Sequence, residues 1–187
     1  MPLRAIVVLI PLVLAGQAAA TTLQRFDLQS LTVSAERVFH GSCIAAEGEL
    51  IDGIPYTTYR FAVAETVKGE GEAETMVRLI GGLHEGRRFD LVGMPSFAPG
   101  EEVVLFLTAP DRRGNPWPVG LSQGKFAVSR GVAKSVVVTQ AASDAVLLDG
   151  AGVARKGAVE AAGPRPLDEF LREVRTYAGG GGIDDRR

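Results

Sequence analysis

The chain has one cysteine, two histidines and one tryptophan in 187 residues, and its aromatic content is only 6%. Beyond the first twenty residues it also lacks any apolar run of the ~18–20 residues that a spanning helix needs. Each scarcity removes a class of function. A single thiol, Cys43, cannot close an internal disulfide, so the fold must rest on its hydrophobic core. Cys43 lies among apolar residues of an expected strand and reads as a buried, inert thiol. Two histidines 44 residues apart, His40 and His84, make a poor zinc site, so neither a metal nor a cofactor is expected. With 20 basic against 22 acidic side chains there is no basic excess, which argues against a nucleic-acid partner.

What is present begins with an export signal. Arg4 gives a positive start, Ala5 to Ala15 an apolar stretch broken only by Pro11, and Ala18-Ala19-Ala20 the small residues a signal peptidase reads. We expect cleavage after Ala20, leaving Thr21 first and a net charge of −3. Gln17 stands where a lipoprotein would carry its lipid-bearing cysteine, so no membrane association is expected once the signal is gone. The expected location is periplasmic or extracellular.

The rest reads as one mainly β domain. Residues 21–27 form a linker, and Leu28, Leu31, Thr32 and Ala35 have helical spacing. Val38 to Ala46 is an expected strand, Glu47 to Pro55 a turn or loop, and Tyr56 to Val67 the clearest strand. In that strand Tyr59, Phe61, Val63 and Glu65 fall on one face and Thr58, Arg60, Ala62 and Ala64 on the other. Further strands are expected at Thr75 to Ile80, Arg88 to Val92, Glu102 to Leu107, Lys125 to Val128 and Ser135 to Thr139. With no helices between them, they point to a small antiparallel OB-like barrel over residues 28–140, or to a sandwich. Residues 141–165, rich in alanine and glycine, are expected to be irregular. Leu167, Phe170, Leu171, Val174 and Tyr177 make the stripe of an amphipathic helix over 166–178, opened by Pro166. Asp168 and Glu169 suit its positive end and Arg172 and Arg175 its negative end, and 179–187 reads as a disordered tail.

Catalytic patterns are incomplete. Gly120-Leu121-Ser122-Gln123-Gly124 matches G-x-S-x-G, yet a nucleophile elbow needs a strand before the serine and a helix after it. Here Pro116-Trp117-Pro118 precedes, a strand follows, and both histidines lie upstream. His84-Glu85 begins like H-E-x-x-H, but Arg88 occupies the second ligand position. Glu101 and Glu102 are adjacent on an expected strand, so their carboxylates point to opposite faces. Gly69-x-Gly71 lacks the helix a phosphate loop requires. We therefore expect no enzyme. Binding is the alternative. Loop-like stretches hold His84, Arg87, Arg88, Met94, Phe97 and Trp117, residue types that binding faces favour, though the same residues could cover the end of a barrel.

Three segments carry a resemblance. They are Ala35-Glu36-Arg37-Val38-Phe39-His40-Gly41, Thr58-Tyr59-Arg60-Phe61-Ala62-Val63 leading to Val67-Lys68-Gly69, and Pro99-Gly100-Glu101-Glu102-Val103-Val104-Leu105-Phe106-Leu107. In this order they resemble the tissue inhibitors of metalloproteinases and netrin-type modules, a pattern shared by exported bacterial proteins of unknown function. The resemblance implies an OB-like barrel and a binding role. In those inhibitors an N-terminal cysteine binds the protease zinc and disulfides clamp the region. Here Thr21 is the expected N-terminus and Cys43 has no partner, so the inhibitory site does not carry over. The leading expectation is a non-enzymatic module that binds an extracytoplasmic protein. The alternatives are a protease inhibitor and a serine hydrolase using Ser122.

Overall fold

The computed structural model describes residues 26–91, 93–131, 135–140, 144–148, 154–158 and 163–180. The expected signal peptide, residues 21–25 of the linker and residues 181–187 of the tail lie outside these described residues.

The fold is mainly β, with one antiparallel sheet and two helices. Helix α1, Leu28–Ser34, starts where the Asp27 carboxylate accepts the Ser30 N–H at 2.7 Å. Its last carbonyls are held by the Lys68 ammonium, which donates to Thr32 O at 2.8 Å and Ala35 O at 2.6 Å. The main sheet comprises β1 (Arg37–Ile51), β2 (Ile54–Lys68), β3 (Glu74–Ile80), β6 (Glu102–Leu107), β7 (Lys125–Arg130), β8 (Val136–Gln140) and β11 (Arg165–Pro166). Its order is β11-β8-β7-β6-β1-β2-β3, and every pairing is antiparallel. Two separate hairpins complete the list, β4 (Gly82–His84) with β5 (Arg87–Phe89), and β9 (Asp144–Leu148) with β10 (Ala154–Ala158). Helix α2 spans Leu167–Gly179.

Apolar residues occupy both faces of this sheet. After Glu102, strand β6 reads Val103-Val104-Leu105-Phe106-Leu107 without a polar residue, because both its faces are covered there. Val104 and Phe106 join Val38, Phe126 and Val138 beneath the helices, which contribute Leu31, Ala35, Phe170, Leu171 and Val174. Val103, Leu105 and Leu107 join Phe39, Cys43, Tyr59, Phe61, Val77, Leu79 and Phe97 on the opposite face. Burying twelve and ten residues respectively, these two clusters supply the stability that no disulfide provides.

Several expectations need correction. Among the described residues the sheet runs in open order from β11 to β3, and no pairing closes it into the barrel expected over 28–140. The loop expected at Glu47 to Pro55 shrinks to the two-residue turn Asp52-Gly53, with φ of 52° and 78°, and β1 and β2 extend to 15 residues each. Asp-Gly is the sequence a two-residue hairpin with positive φ demands. Residues 141–165 are not irregular throughout, since β9 and β10 pair from Asp144↔Ala158 to Leu148↔Ala154. Backbone pairing over five residues overrides the weak strand propensity of alanine and glycine. Pro166 is the N-cap of α2 and ends β11, rather than lying in the first helical turn.

Glu65 also changes face. Val63 pairs with Gly41 and Glu65 with His40, so Ala64 is an extra residue, a β-bulge. One extra residue turns everything beyond it to the other side. Val67 thereby reaches the helix-side core, and Glu65 meets Arg175 of α2 instead of sharing a face with Phe61. Arg175 is thus held by that carboxylate, and no basic side chain occupies the last turn of α2.

Candidate functional site

A groove of about 460 Å³ runs between the β4–β5 hairpin and the loop from Gly93 to Ser96. Two close approaches position the hairpin. At Gly48, a Cβ would stand 2.6 Å from the Leu83 carbonyl oxygen, so only glycine lets β4 cross so near to β1. The backbone Gly81 N–H donates to Pro55 O at 2.8 Å and fixes the entry to the hairpin. The opposite wall is stapled by Met94 N–H to Leu91 O at 3.0 Å and Ser122 N–H to Gly93 O at 3.0 Å.

At the base, Lys125 is only 8% exposed. Its ammonium donates to Ser96 O and to Glu101 Oε1, both at 2.6 Å, and sits 4.5 Å from the Phe97 ring centroid. Glu101 Oε2 accepts the Ala98 N–H at 3.0 Å, so the buried charge is matched and hydrogen-bonded. Tyr59 lines the groove from below. Burial pushes its phenol above the usual range, while hydrogen bonds to Thr57 and to the Phe97 backbone pull the other way. At the rim Arg88 Nε donates to both Asp90 oxygens at 2.9 and 3.0 Å.

The six residues singled out from the sequence separate here. Arg88 and Met94 line the groove, and Arg87 is exposed on the same hairpin, where its backbone pairs with His84. Phe97 is not a surface residue: it is 6% exposed and meets Tyr59 and Phe61 edge-to-face, both with ring centroids 5.0 Å away. The reason is that the loop carrying it folds inward over the concave core, where an aromatic ring is worth more buried than displayed. Trp117 is half-buried against that core, and its indole N–H donates to Asp111 Oδ2 at 3.0 Å, within its own loop.

Three residues that the sequence did not mark stand out instead. Leu83 is 64%, Phe89 40% and Leu91 49% exposed, all at the hairpin or just after it. Their signal was the pair Glu85-Gly86, whose φ values of 47° and 74° make it another two-residue turn.

No family model, curated protein or solved structure matches this chain.

Function is therefore argued from side chains. Ser122 is 7% exposed in a turn of 3-10 helix, Leu121–Gly124, that leads straight into β7. That is not the strand–turn–helix of a nucleophile elbow. His40 lies half-buried on β1 and bonds Glu102 at 2.8 Å. Among the described residues there is no cluster of three metal-ligating side chains, and no helix is long and apolar enough to cross a membrane.

Proposed function

We propose that this chain is an exported, non-enzymatic protein-binding module, built as a partly open OB-like barrel similar to the metalloproteinase-inhibitor and netrin-type modules. One observation carries the reading. Phe89 and Leu91 stand exposed along a groove whose floor is already satisfied in its polar groups, and Leu83 is exposed on the same hairpin. Apolar side chains gathered at a groove rim gain free energy when another surface covers them, by about 25 cal/mol per Å² removed from water. That β3, β2, β1 and β6 are neighbours and all contribute to one buried cluster supports the barrel description. The buried, strand-leading position of Ser122 weighs against a hydrolase.

Photo-cross-linking tests the reading. A benzophenone amino acid at position 83 is expected to trap a discrete partner in the exported fraction, and the same probe at Glu72, away from the groove, is not. Equal patterns from both positions would overturn the proposal.

A further inference from the structure

Three margins of the sheet stand out among the described residues, and two of them are partly guarded. At one end β11 carries Pro166, which offers no N–H to a neighbour. At the other end the Asn115 side chain covers β3 at one residue: its Oδ1 accepts Arg78 N–H at 3.0 Å and its Nδ2 donates to Arg78 O at 2.7 Å. The third margin lies within the sheet. Strand β6 pairs with β1 only from Arg37 to Ser42, and bonds from Glu101 and Gly100 carry the contact to Cys43. Beyond the bulge at Ile44, β1 continues from Ala45 to Ile51 with β2 on one side only.

Hydrogen-bond direction along this stretch follows from the turn. In a two-residue hairpin the residues flanking the turn, Ile51 and Ile54, face each other with both backbone groups. Alternation then directs Glu49, Glu47 and Ala45 toward β2, and Ala46, Gly48 and Leu50 away from it. The same alternation carried across β2 turns Arg78 outward on β3, which is where Asn115 binds it. Among the described residues no hydrogen bond reaches the outward N–H and C=O groups of Ala46, Gly48 and Leu50.

We propose that this margin of β1, Ala45–Ile51, accepts a strand from a partner protein, an extended segment carrying a lysine or arginine opposite Glu47. The proposal rests on the protein-binding reading above and names its mode, addition of a strand to an open edge. The charge pattern selects the occupant. Glu47 is exposed and engages no cation among the described residues, while Glu49 is paired with Arg78 at 2.9 Å. A second copy of this chain is disfavoured in the central registers, because a two-fold axis at Gly48 sets Glu47 against Glu49 of the partner copy, and axes at Glu47 or Glu49 set like against like. Small Ala45 and Ala46 leave the approach open beside the β4 crossing at Gly48, and Leu50, 49% exposed, gives an incoming apolar side chain a surface.

Amide NMR of the labelled protein with three defined probes tests this. The first is a capped heptapeptide alternating valine and lysine, the second has glutamate for lysine, and the third is the lysine peptide N-methylated at alternate amides. The lysine peptide is expected to shift amides of residues 45–51. The glutamate and N-methylated peptides are expected to bind at least tenfold more weakly. Ala46→Pro removes an outward donor and is expected to lose the lysine peptide, whereas Ala46→Ser retains it. No binding, shifts confined to other residues, or equal affinity for the N-methylated peptide would overturn the inference. The N-methylated peptide decides the matter even if Ala46→Pro fails to fold. A cross-link from position 83 together with a silent edge would sink the strand-addition mode alone.

Discussion

Replacing Phe97 by alanine separates a display loop from a core loop. The ring is 6% exposed, contacts Tyr59 and Phe61 edge-to-face at 5.0 Å, and lies 4.5 Å below the Lys125 ammonium. Truncating a buried phenylalanine costs about 3–5 kcal/mol, and each aromatic pair contributes about 0.5–1.5 kcal/mol within that total. Phe97 sits on a loop that can partly collapse into the space, which favours the lower part of the range, about 3–4 kcal/mol. For a domain of this size each kcal/mol moves the midpoint by about 2–4 °C, so the thermal transition should fall by roughly 10 °C. Trp117, the sole tryptophan, packs against the same cluster and reports unfolding by fluorescence in urea. Phe97→Leu should recover more than half of the loss. A loss below about 1 kcal/mol for Phe97→Ala would refute the packing argument and return Phe97 to the surface.

Two further outcomes follow from single groups. Cys43 is 1% exposed, and burial pushes its thiol above the usual range. A thiol reagent should leave it unmodified in the folded protein and react within seconds in denaturant, and rapid reaction under native conditions would contradict the burial. Glu173 is held below the usual carboxylate range, first by its hydrogen bond from Arg165 and then by the Tyr177 hydroxyl at 3.0 Å. A depressed carboxyl contributes stability above its unfolded-state value and loses it as pH falls through the folded one. Melting temperature should therefore decline in acid, and Glu173→Gln should lower it near neutrality and flatten that decline.

Element existence was largely legible, because it rests on periodicity. The Tyr59, Phe61 and Val63 alternation and the Phe170, Leu171 and Val174 stripe both found the cores expected of them. What escaped was decided by single inserted residues and by contacts distant in sequence. Nothing local in Ala62-Val63-Ala64-Glu65 marks Ala64 as a bulge, since the extra residue is defined only against Gly41 and His40 on the neighbouring strand. The candidate site was legible in place but not in person. The segment from His84 to Trp117 supplies much of the groove lining, yet Phe97 turns inward and Trp117 packs against the core. The outward side chains belong to a three-residue hairpin too short for periodicity to reveal.

The two walls of the groove are built to different stiffness. The Gly93–Glu101 wall is tied at several points: Ser122 to Gly93, Lys125 to Ser96 and Glu101, and Cys43 to Gly100 and Glu101 at 2.8 Å each through the backbone. It also inserts Phe97 into the core. The β4–β5 wall has among its ties three ladder pairs of its own, bonds from Gly81 N–H to Pro55 O and from the Thr57 hydroxyl to Gly81 O, and a crossing at Gly48. Its side chains at Arg87, Arg88 and Phe89 are all exposed. Few buried contacts and solvent-facing hydrogen bonds place a segment at the low end of local stability. Adjustment to the proposed partner would therefore fall on the hairpin, against the more firmly tied floor. Leu83 lies on that hairpin directly over Gly48, within the open margin of β1. A strand added beside Ala45–Ile51 would run along the line where the movable wall meets the rigid sheet, and so would engage both.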